Sequence, residues 1–185
     1  MDTSQLMDRM IRAARLDPHL YEEVEADTTA MPQAMLVVVL SSVTVGIAGI
    51  GRGGGIGFMI LNTIVALAGW YIWAFLTYWI GTRLLPEPQT HATHGDLLRT
   101  IGFAAAPGVI RIVGIIQPLS SLVFLVSNIW MLAAMVVAIR QALDYSGTLR
   151  ALGVCAIGWI VQAAVVLVIA LLFTGSQGLN GVVPP

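Results

Sequence analysis

The 185-residue chain has no lysine, one cysteine and little charge: nine arginines and ten carboxylates make up 10% of it, while 57% is hydrophobic. An ordinary soluble domain carries roughly 25% charged residues, so this scarcity excludes a water-soluble globule and assigns an integral membrane protein. With a net charge of −1 there is no clustered cationic surface to neutralise phosphates, which excludes nucleic acid as a partner. Cys155 lies alone in an apolar run, forms no internal disulfide and reads as a small core residue. HExxH, GxSxG, paired carboxylates and a Cys–His pair are also lacking, so the chain is expected to be no enzyme and to need no cofactor. No long polar insertion leaves room for a second folded domain.

Two patterns look like chemistry and are read as turns. Gly49, Gly51 and Gly54 satisfy GxGxxG but join two apolar runs instead of following a strand. His91 and His94 lie three apart beside Asp96, yet a metal needs a third ligand on a fixed scaffold, so no metal site is assigned. Asp96 reads as the cap of the helix that follows.

What is present begins with an amphipathic leader. Leu6, Met7, Met10, Ile11 and Ala14 fall at helical spacing, with Asp8, Arg9, Arg12 and Arg15 on the remaining face, which predicts a helix lying in the headgroup region. Its short, charge-interrupted apolar run does not read as a secretory signal. Asp17-Pro18 is a helix-start signal for a second short helix through Leu20, Tyr21 and Val24. Glu22, Glu23, Glu25 and Asp27 make that helix acidic, either as a solvated face or as a docking surface for a basic partner.

Five apolar runs follow, and about 20 residues of helix are needed per crossing. Residues 33 to 50, 56 to 82, about 99 to 117, about 119 to 142 and about 151 to 173 are the predicted spans, with no carboxylate inside any of them. The expected fold is therefore all-α, a polytopic membrane protein of five transmembrane helices with an N-terminal amphipathic helical segment. Its expected parts are a leader over residues 1 to 30, a membrane domain over 31 to 175 and a short polar, proline-containing tail over 176 to 185. Arg9, Arg12 and Arg15 precede the first span, Arg83 and Arg99 flank the second connector, and Arg140 and Arg150 flank the fourth. Only Arg52 lies on the other side, so the positive-inside rule puts the N-terminus in the cytoplasm and the C-terminus outside. Tyr78 and Trp79 fit an aromatic belt, whereas Trp70 and Trp73 sit deeper and are expected to pack between helices.

The third span is the unusual one. Pro107-Gly108 is expected to break it, freeing a carbonyl that a neighbour must satisfy, so the segment should be buried among the others. Whether it crosses or re-enters stays open at this stage. Gly102, Ala104, Ala105, Ala106, Gly108 and Gly114 allow other helices to approach closely. Arg111 is a cation inside a span. It marks either a functional site facing protein or water, or a side chain that snorkels past Gln117 to the interface.

The series Gly95-Asp96-Leu97-Leu98-Arg99-Thr100-Ile101-Gly102-Phe103-Ala104-Ala105-Ala106-Pro107, then Ile129-Trp130, Ala138-Ile139-Arg140-Gln141-Ala142-Leu143 and Arg150-Ala151, resembles the Yip family of membrane proteins in its bacterial branch. The leader, from Leu16-Asp17-Pro18 through Tyr21-Glu22-Glu23, is similar to that branch as well. The resemblance implies a five-span helical domain with a cytoplasmic N-terminus, in a family whose eukaryotic members are adaptors associated with Rab GTPases and vesicle traffic. It supplies no catalytic residues. Two functions are carried forward: a non-catalytic membrane scaffold or adaptor, as a subunit with other membrane proteins or as a homo-oligomer in lipid; or a small transporter or channel for an anionic solute, using the broken third helix and Arg111. Asp96, Arg99, Pro107, Gly108, Arg111 and Arg140 are the candidate site residues.

Overall fold

The computed structural model describes residues 3–49 and 55–179, with side chains described as far as Val165 and at Leu167. The glycine-rich turn around Arg52, and the final residues of the expected tail, lie outside the described residues.

Two short helices, α1 (Thr3–Ala14) and α2 (Pro18–Ala26), form the leader. Between them Leu16 takes φ 60°, a left-handed conformation that lets the Asp17 N–H close back onto the Arg12 carbonyl at 3.1 Å. Asp17 then caps α2, accepting from the His19 N–H at 3.0 Å, with Pro18 in the first turn. A single 3-10 turn, Thr28–Ala30, leads into α3 (Met31–Gly49).

Four more long segments follow. α4 (Ile56–Trp79) ends in a π turn over Ile80–Leu84, where the Leu85 N–H reaches the Ile80 carbonyl at 3.0 Å. α5 (His94–Ala104) gives way to a 3-10 stretch, Ala106–Ile115, and α6 (Ser120–Ala142) and α7 (Thr148–Leu179) complete the chain. α7 therefore runs into the stretch expected as a polar tail. Five helical segments are long and apolar enough to cross a membrane: Thr28–Gly49, Ile56–Leu84, His94–Ile115, Gln117–Ala142 and Thr148–Val165. The described residues contain no strand, so the five-span, all-α architecture stands.

The change of helix type in the third span has a local cause. Pro107 has no N–H to offer the Phe103 carbonyl and its ring crowds that turn, so the chain tightens: the Ala105 N–H bonds Gly102 and the Gly108 N–H bonds Ala105, both three residues back. A 3-10 helix rises about 2.0 Å per residue against about 1.5 Å in an α-helix, so the tightened half still covers ground. Gly114 ends beside Ala48, where an added Cβ would lie 3.5 Å from the Ala48 Cβ, at the end of α3 remote from the leader. The third segment thus crosses completely and does not re-enter.

Packing makes this segment the centre of the bundle. Its most apolar stretch is 61% buried, whereas that of the second crossing is 11% buried. Gly102 is pressed against Ala34 of α3, and Gly108 against Ser41 of α3 and Met131 of α6. Trp70 donates to the Leu98 carbonyl at 3.0 Å and Trp73 to the Met135 sulfur at 3.0 Å, so both pack between helices as their position predicts.

The leader docks on the bundle, and its apolar face is not the one that helical spacing suggests. Leu6, Arg9 and Ala13 face inward, while Met7 and Ile11 point outward. The rotation follows from Arg9, whose guanidinium finds partners only on the buried side.

Candidate functional site

Two groups of residues stand out: an arginine-rich lock at the leader end and a polar cavity within the bundle. The lock is built first by Arg9, whose side chain is 4% exposed. Its Nε donates to Glu23 Oε1 at 2.9 Å, Nη2 to Asp27 Oδ2 at 2.8 Å and Nη1 to Gln33 Oε1 at 2.8 Å. A buried guanidinium tolerates its desolvation only when such forks are filled. Arg12 adds bonds to Asp17 at 2.9 Å and Glu23 at 2.6 Å.

Arg99 works from the other side. On the first turns of α5 it is 5% exposed, and its Nε donates to the Val24 carbonyl at 2.8 Å while Nη2 reaches the Glu25 carbonyl and Asp96 Oδ1, the latter at 2.7 Å. Those carbonyls belong to the last turn of α2, which has no helical donors left for them. Asp96 also closes a capping box: its carboxylate accepts from the Thr93 N–H at 2.8 Å, and Thr93 Oγ1 accepts from the Asp96 N–H at 3.3 Å. One carboxylate thereby starts α5 and aims the arginine that ends α2.

The acidic residues are largely committed within the chain. Glu23 and Asp27 are the counter-ions of Arg9, and hydrogen bonds from Thr29 first and then from Arg9 hold the Asp27 carboxyl below its ordinary range. Burial raises the Glu23 carboxyl, but the arginine hydrogen bonds outweigh it and the net shift is downward. Glu22 accepts from Gln141 at 2.7 Å. Glu25 differs: burial, with Asp144 and Asp96 nearby, pushes its carboxyl up to about 7. Of the acidic residues that spacing offers as a docking face, Glu23 and Asp27 are thus engaged by Arg9 and Glu22 by Gln141.

The remaining connectors share this end. Arg140 lies over the end of α6, directed at the Tyr145 and Ser146 carbonyls at 3.4 and 3.5 Å. Tyr145 donates to the Leu85 carbonyl at 2.9 Å, and Arg150 pairs with Glu87 at 3.1 Å. The sequence did not single out Trp130 as a site residue, yet it donates to the Ala14 carbonyl at 2.7 Å and so holds the end of α1. His94 packs edge-on against Tyr71, ring centroids 4.9 Å apart, and no group of three or more potential metal ligands occurs among the described residues.

The second group lies within the membrane domain. A cavity of about 370 Å³ is bounded by α3, α4, the broken third span, α6 and α7. Its polar wall comprises Ser41, Ser42, Asn62, Arg111 and Gln162, with Trp70, Trp73 and Trp159 among the aromatic lining. The break at Pro107-Gly108 positions this wall. Thr44 Oγ1 donates to the Gly108 carbonyl at 3.2 Å, and Asn62 donates to the Ser42 carbonyl at 2.9 Å. Arg111 turns toward α6: Nη2 donates to Asn128 Oδ1 at 2.6 Å and the guanidinium stands 5.8 Å from the Phe124 ring centre. Its Nε is buried and has no hydrogen-bond partner among the described residues.

Residues 18–175 match the family model described as the Yip1 domain. No curated protein and no solved structure matches the chain.

Proposed function

The chain belongs to the Yip1 domain family, and from that premise we propose that it acts as a non-catalytic integral membrane scaffold or adaptor, a subunit of a larger membrane assembly. The observation that carries this reading is the outward surface of α4. Leu61, Ile64, Val65 and Ile72 are exposed along it, and Gly57 and Gly69 present open space where a Cβ would stand. Small residues within an apolar face let a neighbouring span approach closely. The leader lock supports the same reading, since it makes a fixed polar platform at one end. The placement is a bacterial cytoplasmic membrane, with the leader in the cytoplasm and the C-terminus outside.

The test is purification of the tagged chain from its own cells in native nanodiscs, with mass spectrometry of what stays bound. A stoichiometric membrane partner that is lost on Gly57→Trp or Val65→Trp, while the chain still folds, supports the scaffold. A monodisperse chain without such a partner counts against it.

A second reading, a small transporter or channel for an anionic solute, is favoured by one observation: Arg111 faces a cavity in the bundle. Arg111→Gln is expected to abolish anion flux in proteoliposomes under this reading and to leave assembly intact.

A further inference from the structure

Arg111 carries a positive charge in a wall without a negative one. No Asp or Glu lines the cavity, and the guanidinium is met only by a neutral amide, Asn128, and the face of Phe124. A cation in the membrane interior is costly unless paired, and no carboxylate among the described residues pairs this one. The side chain does not relieve the cost by extending to the nearest interface. Asn128 lies eight residues into α6 from Ser120, about 12 Å along the helix axis, so the guanidinium stays at that depth beside α6 instead of extending out along its own segment.

The space beside it is shaped for an amphiphile. Asn62 and Gln162 add amides, the indoles of Trp70, Trp73 and Trp159 supply apolar surface with polar edges, and about 370 Å³ falls within the range of ligand pockets. Gly69 of α4 and Trp159 of α7 line the cavity and are themselves exposed, so it opens between those two helices toward the bilayer. Asn128 is exposed as well. A ligand from the lipid phase therefore reaches Arg111 without crossing the lock at the leader end.

We propose that this cavity binds a phosphate-bearing anion, with its oxygens on the Arg111 guanidinium and the Asn62 and Gln162 amides, and that the source is an anionic lipid whose headgroup enters from the side. Planar guanidinium recognises phosphate through parallel N–H donors, and Arg111 is the cationic side chain in the cavity wall. The inference uses the same cavity as the transport reading but requires no movement of the ligand across the membrane: binding without flux overturns transport and leaves the site.

The test uses the full chain in nanodiscs made from an equal mixture of phosphatidylcholine and phosphatidylglycerol, with native mass spectrometry of retained lipid and, separately, equilibrium binding of radiolabelled inorganic phosphate in phosphatidylcholine alone. Wild type is expected to retain phosphatidylglycerol selectively, and Arg111→Gln to weaken that retention about tenfold. Thermal melts unchanged from wild type exclude misfolding, and Gly69→Leu places apolar bulk at the cavity mouth with Arg111 intact, since an added Cβ there meets nothing within 4 Å. It is expected to lose the lipid too. Arg111-dependent binding of inorganic phosphate without lipid selectivity assigns the site to a soluble anion. Equal retention of both lipids, or retention unchanged in both variants, together with no phosphate binding, overturns the proposal.

Discussion

Arg99 Nε on α5 donates to the Val24 carbonyl at 2.8 Å, joining residues 75 positions apart and closing the open end of α2 with a side chain from a membrane span. The leader and the bundle are consequently one folding unit at this point. Release of α2 is the expected first consequence of losing the contact.

Arg99→Met removes the donors and leaves the Val24 and Glu25 carbonyls and Asp96 Oδ1 without that partner, and hydrogen bonds to a charged group contribute about 1.5–3 kcal/mol each. Hydrogen exchange over residues 18–26 is expected to accelerate by more than tenfold while α6 stays protected. Arg99→Lys keeps the charge but cannot fork to both carbonyls, so a partial effect is expected. Unchanged exchange in Arg99→Met would exclude the capping role.

Arg9→Met tests the other half of the lock. Glu23, Asp27 and Gln33 lose a shared donor, and breaking a buried ion pair costs about 3–5 kcal/mol; part of that is spared here because the carboxylates are half-open to solvent. A cysteine placed at Ala13, which is fully buried, is expected to label only in the Arg9→Met background. Cys155 is buried and supplies little background labelling.

Leader stability is expected to fall as pH rises from about 4.5 to about 7. The Glu25 carboxyl is raised to about 7 by burial first, then by Asp144 on the α6–α7 connector, Asp96 on α5 and Glu22 on its own helix, with Arg99 opposing. A carboxyl whose folded pKa is raised stabilises the folded state below its unfolded pKa, and loses that contribution as pH climbs through the folded value. Asp17, Glu23 and Asp27 are shifted down and act the other way, losing stability only at more acid pH. Glu25→Gln is expected to flatten the slope between pH 5 and 7 in thermal melts of the purified protein. Asp144→Asn is expected to move its midpoint downward.

Gly108→Ala is expected to separate α3 from the third span. The new Cβ would lie 2.0 Å from Ser41 Oγ and 2.9 Å from Met131 Sδ, and overpacking of this kind costs about 1–3 kcal/mol. Ser41→Gly in the same chain removes the nearest atom and is expected to recover most of the loss, a coupling that melts of the two single variants and the double variant would measure. Additive losses would place the strain elsewhere.

The leader shows where the one-dimensional pattern misleads. Helical spacing groups Leu6, Met7, Met10, Ile11 and Ala14, yet Met7 and Ile11 face out and Arg9 faces in. The pattern is blind to the carboxylates of α2, which form a buried anionic seat only after the chain turns at Leu16. The same holds for Arg99: Asp96 three residues earlier reads as the cap, whereas the N-cap is Thr93 and Asp96 completes the capping box from the third helical position, and nothing local announces that the arginine serves a helix 75 residues earlier.

The sequence by itself determined the membrane class, the five crossings and the break at Pro107-Gly108, because hydrophobic length and the missing proline N–H are properties of a segment and act wherever that segment lies. It also placed Arg111 within a span. Only the tertiary structure decided that the third segment crosses completely, that the acidic leader residues serve Arg9 and Arg12, and that Arg111 turns toward Asn128 beside a cavity without a counter-ion. Those are relations between residues distant in the chain, and a buried charge takes its partner from whatever the packing brings within hydrogen-bond reach.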